Sequence, residues 1–245
     1  VTVDIRNHGI ISALRDDVIF VDAGQGSIRF DNSGVITGQG NGVAFTRVTV
    51  GDIDFFNSGT ITSIRDDGVH FVAGASATSF VNSGTIQGDD HGVWIEGIGQ
   101  TSFATSGVIL SESTAISLGD GSDTLINTGH IAGDVNLGDG NDIFDTRGGT
   151  FNDTVSGGDQ GDIYYIGTQD AFIDENFGDT GIDVVFSAAS HTLDYNVERL
   201  YLTDLGGAIN GTGNSGDNRI QGNNSANNLQ GLGGNDSLYG GDGDD

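Results

Sequence analysis

The sequence predicts an all-β chain wound as a right-handed parallel β-helix, with three strands to a coil of about 22–25 residues, that passes into a tighter β-roll near its C-terminus. Three observations carry this reading. A glycine-centred phrase returns once per coil, apolar columns are locked to it, and a nine-residue spacing takes over in the last stretch.

The phrase Asn-x-Gly followed by an apolar pair recurs as NHGII, NSGVI, NSGTI, NSGTI, TSGVI and NTGHI, with its glycines at Gly9, Gly34, Gly59, Gly84, Gly107 and Gly129. Their separations are 25, 25, 25, 23 and 22 residues, and an isoleucine follows each two places later, from Ile11 to Ile131. One isoleucine per period means a column of equivalent residues, stacked coil upon coil about 4.8 Å apart. A second column runs Ile5, Phe30, Phe55, Phe80, Phe103 and Leu125, with Asn7, Asn32, Asn57, Asn82, Thr105 and Asn127 two residues on. A third runs Phe20, Phe45, Phe71, Ile95, Leu118 and Leu137, each preceded two places earlier by Val18, Val43, Val69, Val93, Ile116 and Val135. Alternation with period two puts these positions on the inward face of short strands. The stacked asparagines read as a structural ladder that bonds to itself and to turn backbone rather than as a ligand series. The acid pairs Asp16 and Asp17, Asp66 and Asp67, and Asp89 and Asp90 read as a solvated edge before the third strand.

Composition narrows the function classes. The 35 acidic residues against 8 basic ones give a formal charge of −27, which repels nucleic acid and strains a compact fold unless cations neutralise it. With no cysteine the chain is held without disulfides, by hydrogen bonds, stacked side chains and metal. No stretch approaches the roughly 18 consecutive apolar residues of a spanning helix, so membrane insertion is not expected. The chain starts at Val1 without a signal-peptide pattern and reads as a processed or excised piece.

From residue 118 the loop between coils shrinks to GDGS after Leu118 and GDGN after Leu137. Each short turn sets two carboxylates three residues apart among glycines, Asp120 with Asp123 and Asp139 with Asp142. Glycine leaves the backbone free to turn its carbonyls inward, and carboxylates with carbonyls are what a hard cation such as calcium requires. Two more acidic turns, GGDQGDIYY and FGDTGIDVVF, add Asp159 with Asp162 and Asp179 with Asp183. Asp123, Asp142, Asp162 and Asp183 lie 19, 20 and 21 residues apart, one per shortened coil, which predicts a cation between neighbouring turns. The expected division is residues 1–117 as β-helix coils, 118–187 as shortened calcium coils, and 188–245 as a β-roll with lead-in strands.

At the C-terminus Ile220, Leu229 and Leu238 are nine apart, as are Gly213, Gly222, Gly231 and Gly240, and Asn218, Asn227, Asp236 and Asp245. The spacing fits the nonapeptide G-G-x-G-x-D-x-U-x, where U is a large apolar residue. From residue 118 onward the chain therefore resembles the RTX family of calcium-binding repeat proteins. GLGGNDSLY from Gly231 is a near match, and GGDGDD from Gly240, with Asp242 and Asp245, opens the next copy. The two copies before them, GNSGDNRIQ and GNNSANNLQ, place asparagine where the metal-binding aspartate belongs. The NSGTI coils resemble β-helix repeats of bacterial surface proteins.

The resemblance implies export unfolded through a type I secretion channel and folding outside the cell on meeting calcium. The expected function is an extracellular structural or adhesive module, a calcium-stiffened rod able to stack end to end with further copies. Two alternatives stand beside it. Alginate epimerases join a β-helix to RTX modules, which implies a polysaccharide-active enzyme. Their Asp-Pro-His-Glu motif is excluded in a chain without proline, and His8, His70, His91, His130 and His191 show no convergent spacing. A lectin-like module that meets cell-surface polysaccharide is the other, because Trp94 lies between inward-facing Val93 and Ile95 and so points outward.

Overall fold

A computed structural model describes residues 2–22, 24, 26–49, 51–74, 77–167, 171–176 and 179–245. Val1, Phe177 and Gly178, which belong to sequence phrases read above, lie outside the described residues. Among the described residues strands account for nearly all regular structure, with one short 3-10 turn at Asp204–Gly206. Every strand pairing is parallel, and each strand pairs with its equivalent one coil away. The result is a parallel β-solenoid. One wall is a twelve-stranded sheet running from Thr2–Asn7 to Ser237–Tyr239, and it threads every coil.

The opposite side changes along the chain. In the first four coils it carries two separate strands, as in Ile10–Ser12 and Ile19–Asp22 of the first. In the fifth coil these fuse into one long strand, Val108–Ser117, that pairs with both strands of the coil before. Beyond it each coil up to the one that begins with Arg219–Gln221 keeps two strands, and from His191–Thr192 a small three-stranded sheet closes that side. Three strands per coil thus holds for the early coils, and the shortening begins with this fusion.

Register bears out the columns. Ile5, Phe30, Phe55, Phe80, Phe103 and Leu125 are directly aligned, and the alignment continues through Phe144, Tyr164, Val185, Leu200, Ile220 and Leu238. The phenyl rings stack, with centroids 4.8 Å apart for Phe30 and Phe55 and 4.4 Å for Phe55 and Phe80. Each such buried side chain contributes about 1.5–3 kcal/mol of hydrophobic stabilisation.

The asparagine column is the ladder expected. Asn7 Nδ2 donates to Asn32 Oδ1 at 2.8 Å, Asn32 to Asn57 at 2.7 Å and Asn57 to Asn82 at 2.8 Å. Thr105 and Thr146 continue it as hydroxyl acceptors. The glycine two places after each asparagine is required by contact between coils. A Cβ on Gly84 would lie 2.0 Å from the Gly59 carbonyl oxygen, and one on Gly59 would lie 2.1 Å from that of Gly34.

The third column needs one correction. Val43, Val69, Val93, Ile116 and Val135 align as read, but in the first coil Ile19 pairs with Val43 and Val21 with Phe45. Phe20 faces out and is 59% exposed. The register is set one turn earlier, where Asp17 Oδ1 accepts the Asn41 N–H at 2.9 Å, and a shift of one residue sends every side chain to the other face.

Candidate metal centre

The four aspartates spaced one per short coil form a second ladder. Asp123 Oδ1 accepts the N–H of Thr101 at 2.6 Å, and Asp142 Oδ1 that of Asp123 at 2.7 Å. Asp162 Oδ1 accepts from Asp142 N at 2.7 Å and Asp183 Oδ1 from Asp162 N at 2.8 Å. Glu198 Oε2 takes the next place, accepting from Asp183 N at 2.9 Å. One oxygen of each aspartate therefore ties two coils together and fixes the carboxylate.

The other oxygen has no such partner. Asp123, Asp142, Asp162 and Asp183 are each at most 1% exposed, and the Oδ2 atom of all four is buried without a hydrogen bond. Burial first, then neighbouring carboxylates, pushes Asp142 and Asp183 up to about 8, and burial pushes Asp162 up to about 7 and Asp123 up to about 6. Among the described residues no arginine or histidine ion pair reaches these groups. Buried carboxylates without a counter-charge are costly, and a column of orphaned hard oxygens is a donor set that suits calcium.

The partners paired with them by sequence sit further out. Asp120, Asp139 and Asp159 are exposed at the turn tips, and Asp179 is half-buried, with its Oδ1 accepting from Gln160 N at 2.8 Å. The charge of Asp120 acts on Asp123, that of Asp139 on Asp142, and that of Asp179 on both Asp162 and Asp183.

In the β-roll the same logic appears on both sides of each coil. Asp236 Oδ1 accepts from Asn218 N and Asp245 Oδ1 from Asn227 N, both at 2.9 Å. Asp236 is half-buried, while Asp242 and Asp245 are exposed. The glycine that opens each nonapeptide is explained by this carboxylate: a Cβ on Gly231 would lie 2.1 Å from Asp236 Oδ2, and one on Gly240 would lie 2.4 Å from Asp245 Oδ2. Leu232, where the repeat has its second glycine, adopts φ 69°, a conformation that glycine takes without strain.

The asparagine copies make hydrogen bonds of their own across the turns. Asn218 Nδ2 donates to the Val197 carbonyl at 3.0 Å and Asn227 Nδ2 to that of Ile209 at 2.6 Å. Asn214 and Asn223 donate likewise, each to two carbonyls. An amide offers donors where a carboxylate offers only acceptors, so these turns satisfy inward carbonyls themselves.

Three features were missed by sequence reasoning. Asp67, read as solvated, is 2% exposed and takes the His91 N–H at 3.1 Å, so it caps a turn. The histidines do converge in part. Trp94 aligns with His70 across coils and stacks on it at 4.4 Å, and on His91 at 5.0 Å. Asp67 and Glu96 hold the two imidazoles, at 2.8 Å from His91 Nδ1 and 3.0 Å from His70 Nε2. Parallel pairing brings residues 24 apart side by side, here His70 and Trp94 next to the aligned Val69 and Val93. The third is Glu175, buried beside Asp162 and Asp183.

Fold and turns together define a parallel β-solenoid with acidic turns along its C-terminal half. Residues 212–245 match the family described as RTX calcium-binding nonapeptide repeat, in 4 copies. The C-terminal repeats are thus RTX repeats, and calcium is their ion. No curated protein and no solved structure matches the chain.

Proposed function

We propose that the chain is an extracellular structural or adhesive module of a secreted protein, a rod stiffened by calcium along its C-terminal half. The observation that carries this reading is the column of fixed, buried carboxylates at Asp123, Asp142, Asp162 and Asp183, each with one oxygen left over. These four, with Asp236 and Asp245 of the nonapeptides, are the proposed inner ligands. Asp120, Asp139, Asp159, Asp179 and Asp242 are proposed to complete the turns from outside. Extracellular calcium modules bind with dissociation constants on the order of 10⁻⁴ to 10⁻³ M, and at tenfold excess each independent site adds about 1.4 kcal/mol. Export unfolded and folding in calcium outside the cell fits a chain whose C-terminal half is charged in this way.

Asp142→Ala and Asp17→Ala test the assignment as a matched pair. Each removes one carboxylate that accepts a backbone N–H from the neighbouring coil, at 2.7 and 2.9 Å. Bound calcium, counted by equilibrium dialysis, is expected to fall in Asp142→Ala and to stay at the wild-type value in Asp17→Ala. Equal counts in the two variants would remove the metal column from this turn.

The braced indole favours a second reading, a glycan-binding patch. Two stacked imidazoles and two carboxylates fix Trp94 on the outer face, as a sugar-stacking platform requires. Binding on a glycan array that Trp94→Ala abolishes is the expected result on this reading, and an array without any binding would dismiss it.

A further inference from the structure

Where the chain turns the corner before each shortened coil, one inward position recurs. Leu118 and Leu137 fill it in successive coils, and both are buried in the core. Strand register continues the position to Gly157, because Asn136 aligns with Ser156, and then to Glu175, because Ser156 aligns with Asp174. An oily plug is thus followed by an empty place and then by a carboxylate. Glu175 is 5% exposed.

The surroundings are made to match. Tyr164 occupies the interior column between Phe144 and Val185, the one phenol in that column, and its hydroxyl donates to Glu175 Oε1. A Cβ on Gly157 would lie 2.1 Å from Asp162 Oδ2 and 2.1 Å from the Tyr164 hydroxyl, so only glycine leaves those oxygens room. One oxygen each from Asp162, Glu175 and Asp183 lie within 4.8 Å of one another, the one such group among the described residues. Each carboxylate is anchored through one oxygen, by Asp142 N, Tyr164 Oη and Asp162 N respectively. The second oxygen of all three is buried and unpartnered.

We infer that this pocket between two coils holds a divalent cation of calcium size inside the solenoid, with Glu175 as a ligand that the repeat pattern of the turns does not supply. Three carboxylates packed in an interior without a basic partner repel one another when ionised, a repulsion that a bound cation removes, and clustered carboxylate oxygens suit calcium rather than softer metals. Tyr164 is a positioning residue that holds Glu175 against the site. The inference rests on the calcium reading of the turns through Asp162 and Asp183, and adds a site of another construction to them.

The test is a calcium count on the full chain and on Glu175→Gln, together with terbium emission excited through tyrosine. Glutamine keeps the size of the side chain and an oxygen for the Tyr164 hydroxyl, but removes the charge. Glu175→Gln is expected to bind one calcium ion fewer and to lose severalfold in terbium emission. A wild type that binds no calcium would overturn both this site and the reading of the turns. A wild type that binds calcium, with Glu175→Gln binding equally many ions at unchanged emission, overturns the inner site alone. If Glu175→Gln does not fold, the calcium count of Tyr164→Phe decides: one ion fewer supports the site, and a count equal to the wild type overturns it.

Discussion

Withdrawing calcium at pH 8 is expected to melt the coils from residue 118 onward, whereas the same metal-free chain at pH 5 keeps them. The reason lies in the direction in which the buried carboxylates shift. Burial raises Asp123 to about 6, Asp162 to about 7, Asp142 and Asp183 to about 8, and Glu175 to about 9. In the unfolded chain such groups titrate at about 4. Between the two values the folded state binds more protons than the unfolded one, so stability falls as pH rises. The penalty is absent below about pH 4 and complete above about pH 9. Calcium takes the place of the protons, so its affinity should climb through the same window as binding releases them. Melting followed by circular dichroism from pH 5 to 8 in chelator should show a steady drop in Tm that millimolar calcium cancels. A metal-free Tm that stays level or rises over that range would contradict the burial of uncompensated carboxylates.

Phe55→Ala is expected to destabilise the N-terminal coils by about 3–5 kcal/mol, with or without calcium. Phe55 is fully buried, stacks between Phe30 and Phe80, and meets Phe71 edge-on at 5.4 Å. Its neighbours are pinned by strands above and below, which limits collapse into the cavity. Denaturant unfolding in calcium and in chelator should show the same loss. A variant rescued by calcium would mean that metal, not the apolar columns, holds this half together.

These two predictions divide the molecule along a line that the sequence draws. Columns were legible because one coil equals one period, so Phe30, Phe55 and Phe80 announce their own contacts, as do the asparagines beside them. Phe20 was misplaced because IFVD alternates in either phase, and the largest residue is not the inward one when Asp17 sets the register. The aspartate ladder could be read for the same reason as the columns, one carboxylate per coil. Glu175 could not be found by matching turns, since it stands where neighbouring coils put leucine or glycine; only the register of Ser156 with Asp174 assigns it. His70 and Trp94 sit between the aligned pairs Val69 with Val93 and Phe71 with Ile95, so the column already put them side by side, whereas His91 at the start of its strand matches no residue of the columns.

The measurement closest to the central claim is a calcium titration of the metal-free chain at pH 8, with bound ions counted and the strand signal followed by circular dichroism in the same samples. The fold and its carboxylate column predict several ions per chain, taken up together with a gain in strand signal and a rise in Tm. A chain that binds no calcium, or binds it with strand signal and Tm both unchanged, would contradict calcium as the element that completes the C-terminal coils.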